Sequence, residues 1–349
     1  MARQTRKSTI FDIARLSGAS PSTVSAALGE SWRERRISEA KMQEIRKIAA
    51  EQGYKRNMQA RGLRLARSGL IGMVIPVHDN RFFSSLVQSF EALARERGLV
   101  PVIACSLREP AEERRIVETL ISYAVDGLFI AGATDVDTLS RLCQQAHLRH
   151  IFVDLPGPGV PSVVSDNYGG SVALTHKLLL DGPPRGDGPR DRIYFLGGDI
   201  TDHASARRAM AFRDVLTQAG LPPGPDQIIP CGYSPRAARR EIAALCDRLG
   251  GLPAGLFVNS LTAFEGVLGH FTQLPPEAFA NSVIGCYDYD PFAAYLQFPV
   301  HMVRQDAHGL IAEAYRLLDA PSAGPVLSEV APELIAPRTF YDDPFADLG

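Results

Sequence analysis

Polar side chains suited to binding a hydroxylated molecule recur just after apolar runs of the chain. Asp79-Asn80-Arg81-Phe82-Phe83 follows the run 70–77, Thr134-Asp135 follows 127–131, Asp154 closes 150–154, and Asp199 to Asp202 follow 192–197. Asn259-Ser260, Tyr287-Asp288 and Arg304-Gln305-Asp306 stand at the ends of three more runs. Carboxylates and amides hydrogen-bond hydroxyl groups, and aromatic rings stack on the apolar face of a sugar. Any one of these residues is more commonly a helix cap, so only their convergence makes a site. Signatures of catalysis are missing: there is no GxGxxG after a strand, no GxxxxGK followed by Ser or Thr, no GxSxG and no HExxH. Gly197-Gly198 reads as a tight turn. The eight His show no metal-ligand spacing, and the five Cys (105, 143, 231, 246, 286) are odd in number and contain no CxxC. No enzymatic activity, cofactor or metal is expected.

A second chemistry is concentrated at the N-terminus. Residues 1–68 carry 15 Lys and Arg against 6 Asp and Glu, a net charge of +9, and the remainder nets −11. A basic head on an acidic body suits a polyanionic partner. Within that head, Thr9 can cap a helix, with Asp12 near its positive end, and Ile10, Ile13 and Ala14 share one apolar face. Gly18 suits the helix C-terminus. Ser20 then caps a second helix with Pro21 at its first position, and Val24, Ala27 and Leu28 repeat the apolar spacing. Two short helices with a Gly-containing turn describe a helix-turn-helix or an ordinary helical hairpin, and the charge favours the former. Arg33, Arg35 and Arg36 cluster around Trp32, in a loop suited either to phosphate contacts or to solvation. Ser38 caps a third helix ending near Gly53-Tyr54.

The elements that would position the strand-end residues follow. Residues 55–68 are basic, with Ala60, Leu63 and Ala66 at three-residue intervals, a linker expected to become helical when packed on DNA. From Leu70 apolar runs alternate with helical patterns near 83–97, 110–124, 136–147, 169–180, 204–219, 234–249 and 262–272. That alternation predicts parallel sheets covered by helices on both faces, and about eight such units predict two lobes. Ligands of such sheets bind beyond the carboxyl ends of the strands. No apolar run is long enough for a membrane span and no signal-peptide core is present, so a cytoplasmic location is expected.

The ordered set of motifs resembles the LacI/GalR family of bacterial transcription regulators over nearly the whole chain. Asp12-Ile13-Ala14 stands with Gly18-Ala19-Ser20 and Ser22-Thr23-Val24-Ser25, and Ile37-Ser38-Glu39 opens the third helix. Gly53-Tyr54 is followed by Asn57, Ala60-Arg61-Gly62-Leu63 and Ser68-Gly69-Leu70-Ile71-Gly72. In the body stand Ser165-Asp166-Asn167-Tyr168 before Gly170, Arg208 ahead of Ala211-Phe212, and Asn259. The resemblance implies a small all-α head (1–54), a hinge helix (55–69), a two-lobed α/β body like periplasmic sugar-binding proteins (70–341), and a tail (342–349). Lobe 1 would hold 70–164 and 299–326, and lobe 2 would hold 165–298 and 327–341. It further implies a homodimer, or a tetramer, on pseudo-palindromic operator DNA, acting as a repressor controlled by a small effector between the lobes. A monosaccharide such as fructose is the expected effector. A cytosolic sugar-binding protein and a Rossmann-like enzyme are the alternatives; the basic head opposes the first and the missing glycine fingerprint the second.

By the same resemblance, DNA contacts are expected from Thr9, Ser20, Pro21, Ser22, Thr23, Ser25 and Ala26, from Arg33, Arg35 and Arg36, and from Tyr54, Asn57, Ala60, Arg61 and Leu63. Leu63 matches a leucine that wedges between base pairs. Many members carry arginine where this chain has Ala26, so bidentate guanine reading is unavailable there and contact with a thymine methyl remains. Effector contacts are expected from Asn80, Phe82, Phe83, Asp135, Asp154, Arg208, Asn259, Asp288 and Gln305, with Asp290 competing with Asp288. Arg208 is the best supported, because its rigid donor fork suits vicinal hydroxyls.

Overall fold

A computed structural model describes residues 8–29, 31–54, 67–183, 186, 188–320 and 326–338. The chain divides into two compact units, Met1–Ser68 and Gly69–Gly349.

The first unit holds α1 (Ile10–Ser17), α2 (Pro21–Ala27) and α3 (Glu39–Glu51). Thr9 and Asp12 form a reciprocal capping box: Asp12 Oδ2 accepts from Thr9 N at 2.9 Å, and Thr9 Oγ1 accepts from Asp12 N at 3.4 Å. Gly18 ends α1 at φ 62°, a left-handed conformation that other residues adopt at a cost. Ser20 and Ser38 cap the next two helices. Ile13, Ala14, Val24, Ala27, Met42, Ile45 and Ala49 make the core, with Trp32 and Tyr54 packed against it. Part of the head's basic charge works internally. Lys41 Nζ donates to Ser17 O at 2.6 Å and Arg46 Nε to Ala27 O at 3.2 Å, cations placed at the negative ends of α1 and α2.

The second unit is built on two six-stranded sheets with strand orders β11-β5-β4-β3-β1-β2 and β12-β10-β9-β8-β6-β7. The first sheet comprises β1 (Leu70–Ile75), β2 (Val100–Cys105), β3 (Leu128–Ala131), β4 (His150–Val153), β5 (Ser162–Ser165) and β11 (Leu327–Val330). The second comprises β6 (Ile193–Leu196), β7 (Ile228–Ile229), β8 (Gly255–Val258), β9 (Val283–Tyr287), β10 (Val300–Arg304) and β12 (Glu333–Ile335). All pairings are parallel except β10 with β12. The helices are α4 (Arg81–Glu96), α5 (Pro110–Ser122), α6 (Val136–Gln145), α7 (Asn167–Asp181), α8 (His203–Gln218), α9 (Pro235–Leu249), α10 (Leu261–Phe271) and α11 (Ala307–Asp319). Phe90, Phe129 and Tyr315 cluster in the core of lobe 1, and Phe195, Phe212 and Phe257 in that of lobe 2. No helix among the described residues is long and apolar enough to cross a membrane.

The strand pairings move the expected lobe boundaries. β10 pairs with β9, so residues 300–304 belong to lobe 2, and α11 packs with Phe90 and Phe129 in lobe 1. β11 pairs with β5 in lobe 1, and β12 with β10 in lobe 2. The chain therefore crosses at about 166, 305 and 331 rather than near 164, 298 and 326. The shift has one cause. Each strand is completed within its sheet before the chain leaves from its carboxyl end, so the crossing follows an apolar run instead of preceding it. The tail 342–349 and most of the linker lie outside the described residues.

Candidate functional site

The carboxyl ends of the strands of both lobes face a cavity of about 90 Å³. From lobe 1 it is lined by Asn80, Phe82, Phe83, Arg108, Gly132, Ala133 and Asp154; from lobe 2 by Asp202, Ala204, Arg208, Tyr233, Ser260, Thr262 and Asp288; and at a crossing by Gln305. Seven of the nine residues expected at an effector site thus line one space. Asn259 stands just behind it, wholly buried, its carbonyl accepting from Arg208 Nη1 at 2.7 Å and its Nδ2 donating to Ser205 Oγ at 3.0 Å. Gly198 admits that packing: a Cβ there would lie 2.3 Å from Asn259 Nδ2.

Asp135 is not brought to the cavity. It is exposed and caps α6 by accepting from Thr138 N at 3.1 Å. The segment before it turns away because the buried carboxylate of Glu113 accepts from Thr134 N, Thr134 Oγ1 and Asp135 N. Asp290 faces an outer groove of about 1480 Å³, where its Oδ2 pairs with Arg81 Nε at 3.2 Å.

Arg208 is 3% exposed, so it makes no surface salt bridge. Its Nε donates to Asn167 Oδ1 at 2.8 Å, and its guanidinium lies 3.7 Å from the centroid of the Tyr287 ring. Gln305 Nε2 donates to Asp288 Oδ1 at 2.5 Å, while Gln305 Oε1 is buried without a hydrogen-bond partner. Asp154 and Asp288 sit at strand ends with φ of 75° and 84°, a region L side chains occupy at a cost and that clusters at binding sites. Burial pushes the Asp154 carboxyl up to about 7; Arg208 opposes the rise and Asp288 and Asp202 add to it. Burial raises Asp288 as well, against Arg208 and the Gln305 hydrogen bond. Among the described residues no cluster of His, Cys, Asp or Glu could hold a metal ion.

In the head, Pro21 and Ser22 are exposed at the start of α2, and the hydroxyls of Ser20, Ser22 and Thr23 are linked at 2.7 and 2.8 Å. Ser25 is half-buried, and Thr9 is engaged in its capping box. Ala26 is 5% exposed, which removes it from the outer face. The last turn of this seven-residue helix is packed through Val24, Ala26 and Ala27, and a methyl group has no reach beyond such neighbours. Arg35 and Arg36 are exposed, and the Arg33 guanidinium stacks 4.9 Å over Trp32, a ring anchored in the core. Tyr54 is half-buried. Asn57, Ala60, Arg61, Gly62 and Leu63 lie outside the described residues.

Residues 9–57 match the model of bacterial regulatory proteins of the lacI family, and residues 68–254 match that of periplasmic binding proteins and the sugar binding domain of the LacI family. The chain belongs to the LacI family. It is a DNA-binding transcription regulator with a helix-turn-helix head and a sugar-binding-type body. The ribitol operon repressor of Klebsiella aerogenes is 48% identical over 193 residues, 55% of this chain and 71% of that one. The sucrose operon repressor of Klebsiella pneumoniae is 32% identical over 318 residues, 90% of this chain and 92% of that one. The Lac repressor bound to ONPG in its repressed state shares the fold, with a TM-score of 0.78, 18% identity and coverage of 96% and 100% of the two chains.

Apart from Asp202 and Ser260, already noted at strand ends, and the small residues Gly132, Ala133 and Ala204, three lining residues of this LacI-family body were not among the expected ones. Arg108 stands three residues past β2 and Tyr233 four past β7, so the strand-end rule that found Asp154 reaches them once the turn is allowed a few residues more. Thr262 lies in the first turn of α10, and no local signal distinguishes it.

Proposed function

We propose that this chain is a cytoplasmic repressor, acting as a homodimer on pseudo-palindromic operator DNA, whose operator affinity is set by a small neutral polyol held between the lobes. The observation that carries this reading is the convergence on one cavity between the lobes of Asn80, Phe82, Phe83, Asp154, Arg208, Asp288 and Gln305. One water needs about 10–15 Å³ on this scale, so the cavity has room for roughly six to nine waters. A five- or six-carbon polyol displaces a comparable amount. The lining supplies guanidinium donors (Arg108, Arg208) and carboxylate acceptors (Asp154, Asp202, Asp288), and Gln305 Oε1 adds an acceptor. Hydroxyl groups both donate and accept, so a polyol satisfies both sets, whereas a phosphate meets three carboxylates. The similarity to a ribitol operon repressor supports a polyol over the expected fructose. Catalysis has no place in this reading: no activated nucleophile stands in the cavity, and a ligand acts by its differential affinity for two arrangements of the lobes.

The test is a melting screen of pentitols and monosaccharides, followed by operator titration with each stabilising compound. Ligand at a hundred times its Kd should stabilise the body by about 2.7 kcal/mol. A stabilising polyol that also changes operator affinity supports the reading. Stabilisation by none, or by a ligand that leaves operator affinity unchanged, overturns it.

A further inference from the structure

The turn between β2 and α5 inverts the usual placement of side chains. Leu107 is 70% exposed, while its charged neighbour Arg108 is half-buried and lines the cavity. Both residues are left-handed, at φ 54° and 59°, so the backbone is held in a costly shape that turns the apolar side chain out and the cation in. The turn is braced on both sides. Ser106 N donates to Ile75 O at 2.9 Å and Glu109 N to Ser106 O at 3.0 Å. Glu113, on the helix that follows, is 1% exposed and fastened to the 134–135 backbone. Arg108 is therefore presented from a rigid platform.

Its guanidinium lies 4.7 Å from the Tyr233 ring centroid of lobe 2 and 5.9 Å from that of Phe83. Tyr233 is fixed in turn, its hydroxyl donating to Asp202 Oδ2 at 2.9 Å and lying 3.1 Å from Ser205 Oγ. Among the described residues, no hydrogen bond or ion pair engages the Arg108 guanidinium, which leaves its planar set of N–H donors for a bound molecule. Two of the aromatic rings that line the cavity, Tyr233 and Phe83, thus have the Arg108 cation beside a face that could otherwise stack on a closed sugar ring. A closed sugar gains from stacking on an aromatic face; an extended polyol has no apolar face to stack and needs donors and acceptors along its length.

We propose that Arg108 is a specificity-determining residue: it hydrogen-bonds the hydroxyls of an open-chain polyol, selects it over ring sugars, and through Tyr233 couples that contact to lobe closure. This inference rests on the polyol reading given above. Isothermal titration of the full-length protein with ribitol, xylitol and arabinitol, beside ribose and fructose, tests it. The wild type should bind one pentitol about tenfold or more tighter than the ring sugars, the scale of a charge-assisted hydrogen bond. Arg108→Met should weaken that pentitol about tenfold or more and the ring sugars much less, and Arg108→Lys, which keeps the charge without the planar fork, should fall between. A pentitol affinity unchanged in Arg108→Met overturns the role of Arg108 while leaving the polyol reading standing. A wild-type preference for ring sugars overturns the open-chain selection, with no variant needed. Absence of binding by every polyol and sugar overturns both readings together.

Discussion

The Asp154→Asn substitution gives the most quantitative test of the cleft. In the folded chain the Asp154 carboxyl holds its proton to about pH 7, against an ordinary value of 3.8, because burial outweighs the pull of Arg208. A folded state that binds the proton more tightly than the unfolded chain is favoured when the proton is present. The contribution is thus whole below about pH 3.8 and lost as pH rises through 7. Integrating the two titrations between pH 5 and pH 8 gives a loss of about 2–3 kcal/mol. Asn carries no charge at either pH, so the variant should gain on the wild type by that amount over the interval. At about 2.1 cal/mol/K per residue, the unit Gly69–Gly349 converts it to about 4 °C in Tm. The assay is differential scanning calorimetry of both proteins at pH 5, 6, 7 and 8 without ligand. Asp288, shifted in the same direction, is present in both proteins; it adds to the rise at Asp154, so the difference includes that coupling as well as the burial of Asp154 itself. A Tm difference that stays flat from pH 5 to pH 8 refutes the reasoning, because Asp154 would then ionise as an exposed carboxylate does.

Arg208→Ala should remove the effector response and lower the Tm of the body by about 7 °C. It leaves Asn167 Oδ1 and Asn259 O without their donor and takes a cation from Asp288 and Asp154, a loss of about 3–5 kcal/mol for a broken buried charge cluster. A melt within 1–2 °C of wild type, by calorimetry, contradicts that account. In the head, Thr9→Ala should cost about 1 kcal/mol by opening the capping box, so amide hydrogen exchange along α1 should quicken about fivefold. Unchanged exchange there, with the rest of the head as a control, would show that the cap contributes nothing.

Much of this architecture can be read from the chain because its signals are local. Apolar runs of four to six residues became strands, and the Asn, Asp and Ser after them became caps: Asn80 accepts from Phe82 N, Asp202 from Ser205 N and Ser260 from Ala263 N. The same rule explains why Asp135 misleads. A cap and a ligand-binding carboxylate have one sequence signature, and only the buried Glu113, twenty-two residues away, decides which this one is. The lobe crossings were displaced because β11 and β12 are short and half-exposed, and strand pairing across the chain, not their own composition, assigns them to sheets. Arg108 was hidden for a different reason. Its inward turn depends on two left-handed residues that are not glycine, a choice that no propensity favours. Ala26 shows a different limit: the family resemblance, not any local signal, made it a DNA-contact position, and in the structure it is packed among its neighbours.

The contacts that span the cleft bear on how such a body can switch. Asn80 Nδ2 reaches Thr262 Oγ1 at 3.5 Å, the limit of a hydrogen bond, and the Arg81–Asp290 pair is partly exposed, with side-chain accessibilities of 41% and 29%. Arg108 over Tyr233 adds a cation–π contact. An exposed ion pair contributes about 0–1 kcal/mol and a cation–π contact about 0.5–1 kcal/mol at such sites, so the three together favour closure by no more than about 2 kcal/mol. Moving an equilibrium from 1:99 to 99:1 takes about 5.5 kcal/mol of differential affinity. The direct lobe contacts are therefore too weak to hold the cleft shut against a strong opposing bias, and the remainder falls to the molecule bound inside. That division suits a regulator. Burial raises the Asp154 carboxyl, Asp288 and Asp202 add to the rise, and Arg208 and Arg108 offset it, so placing this carboxylate in the cavity wall has a cost. On the proposed polyol reading, a ligand whose hydroxyls pair with both sets offsets that cost, and it can move the lobes only by its differential affinity for their arrangements. The left-handed φ angles at Asp154, Asp288 and Arg108 are backbone shapes adopted at a cost, and they turn these three charged side chains into the cavity wall.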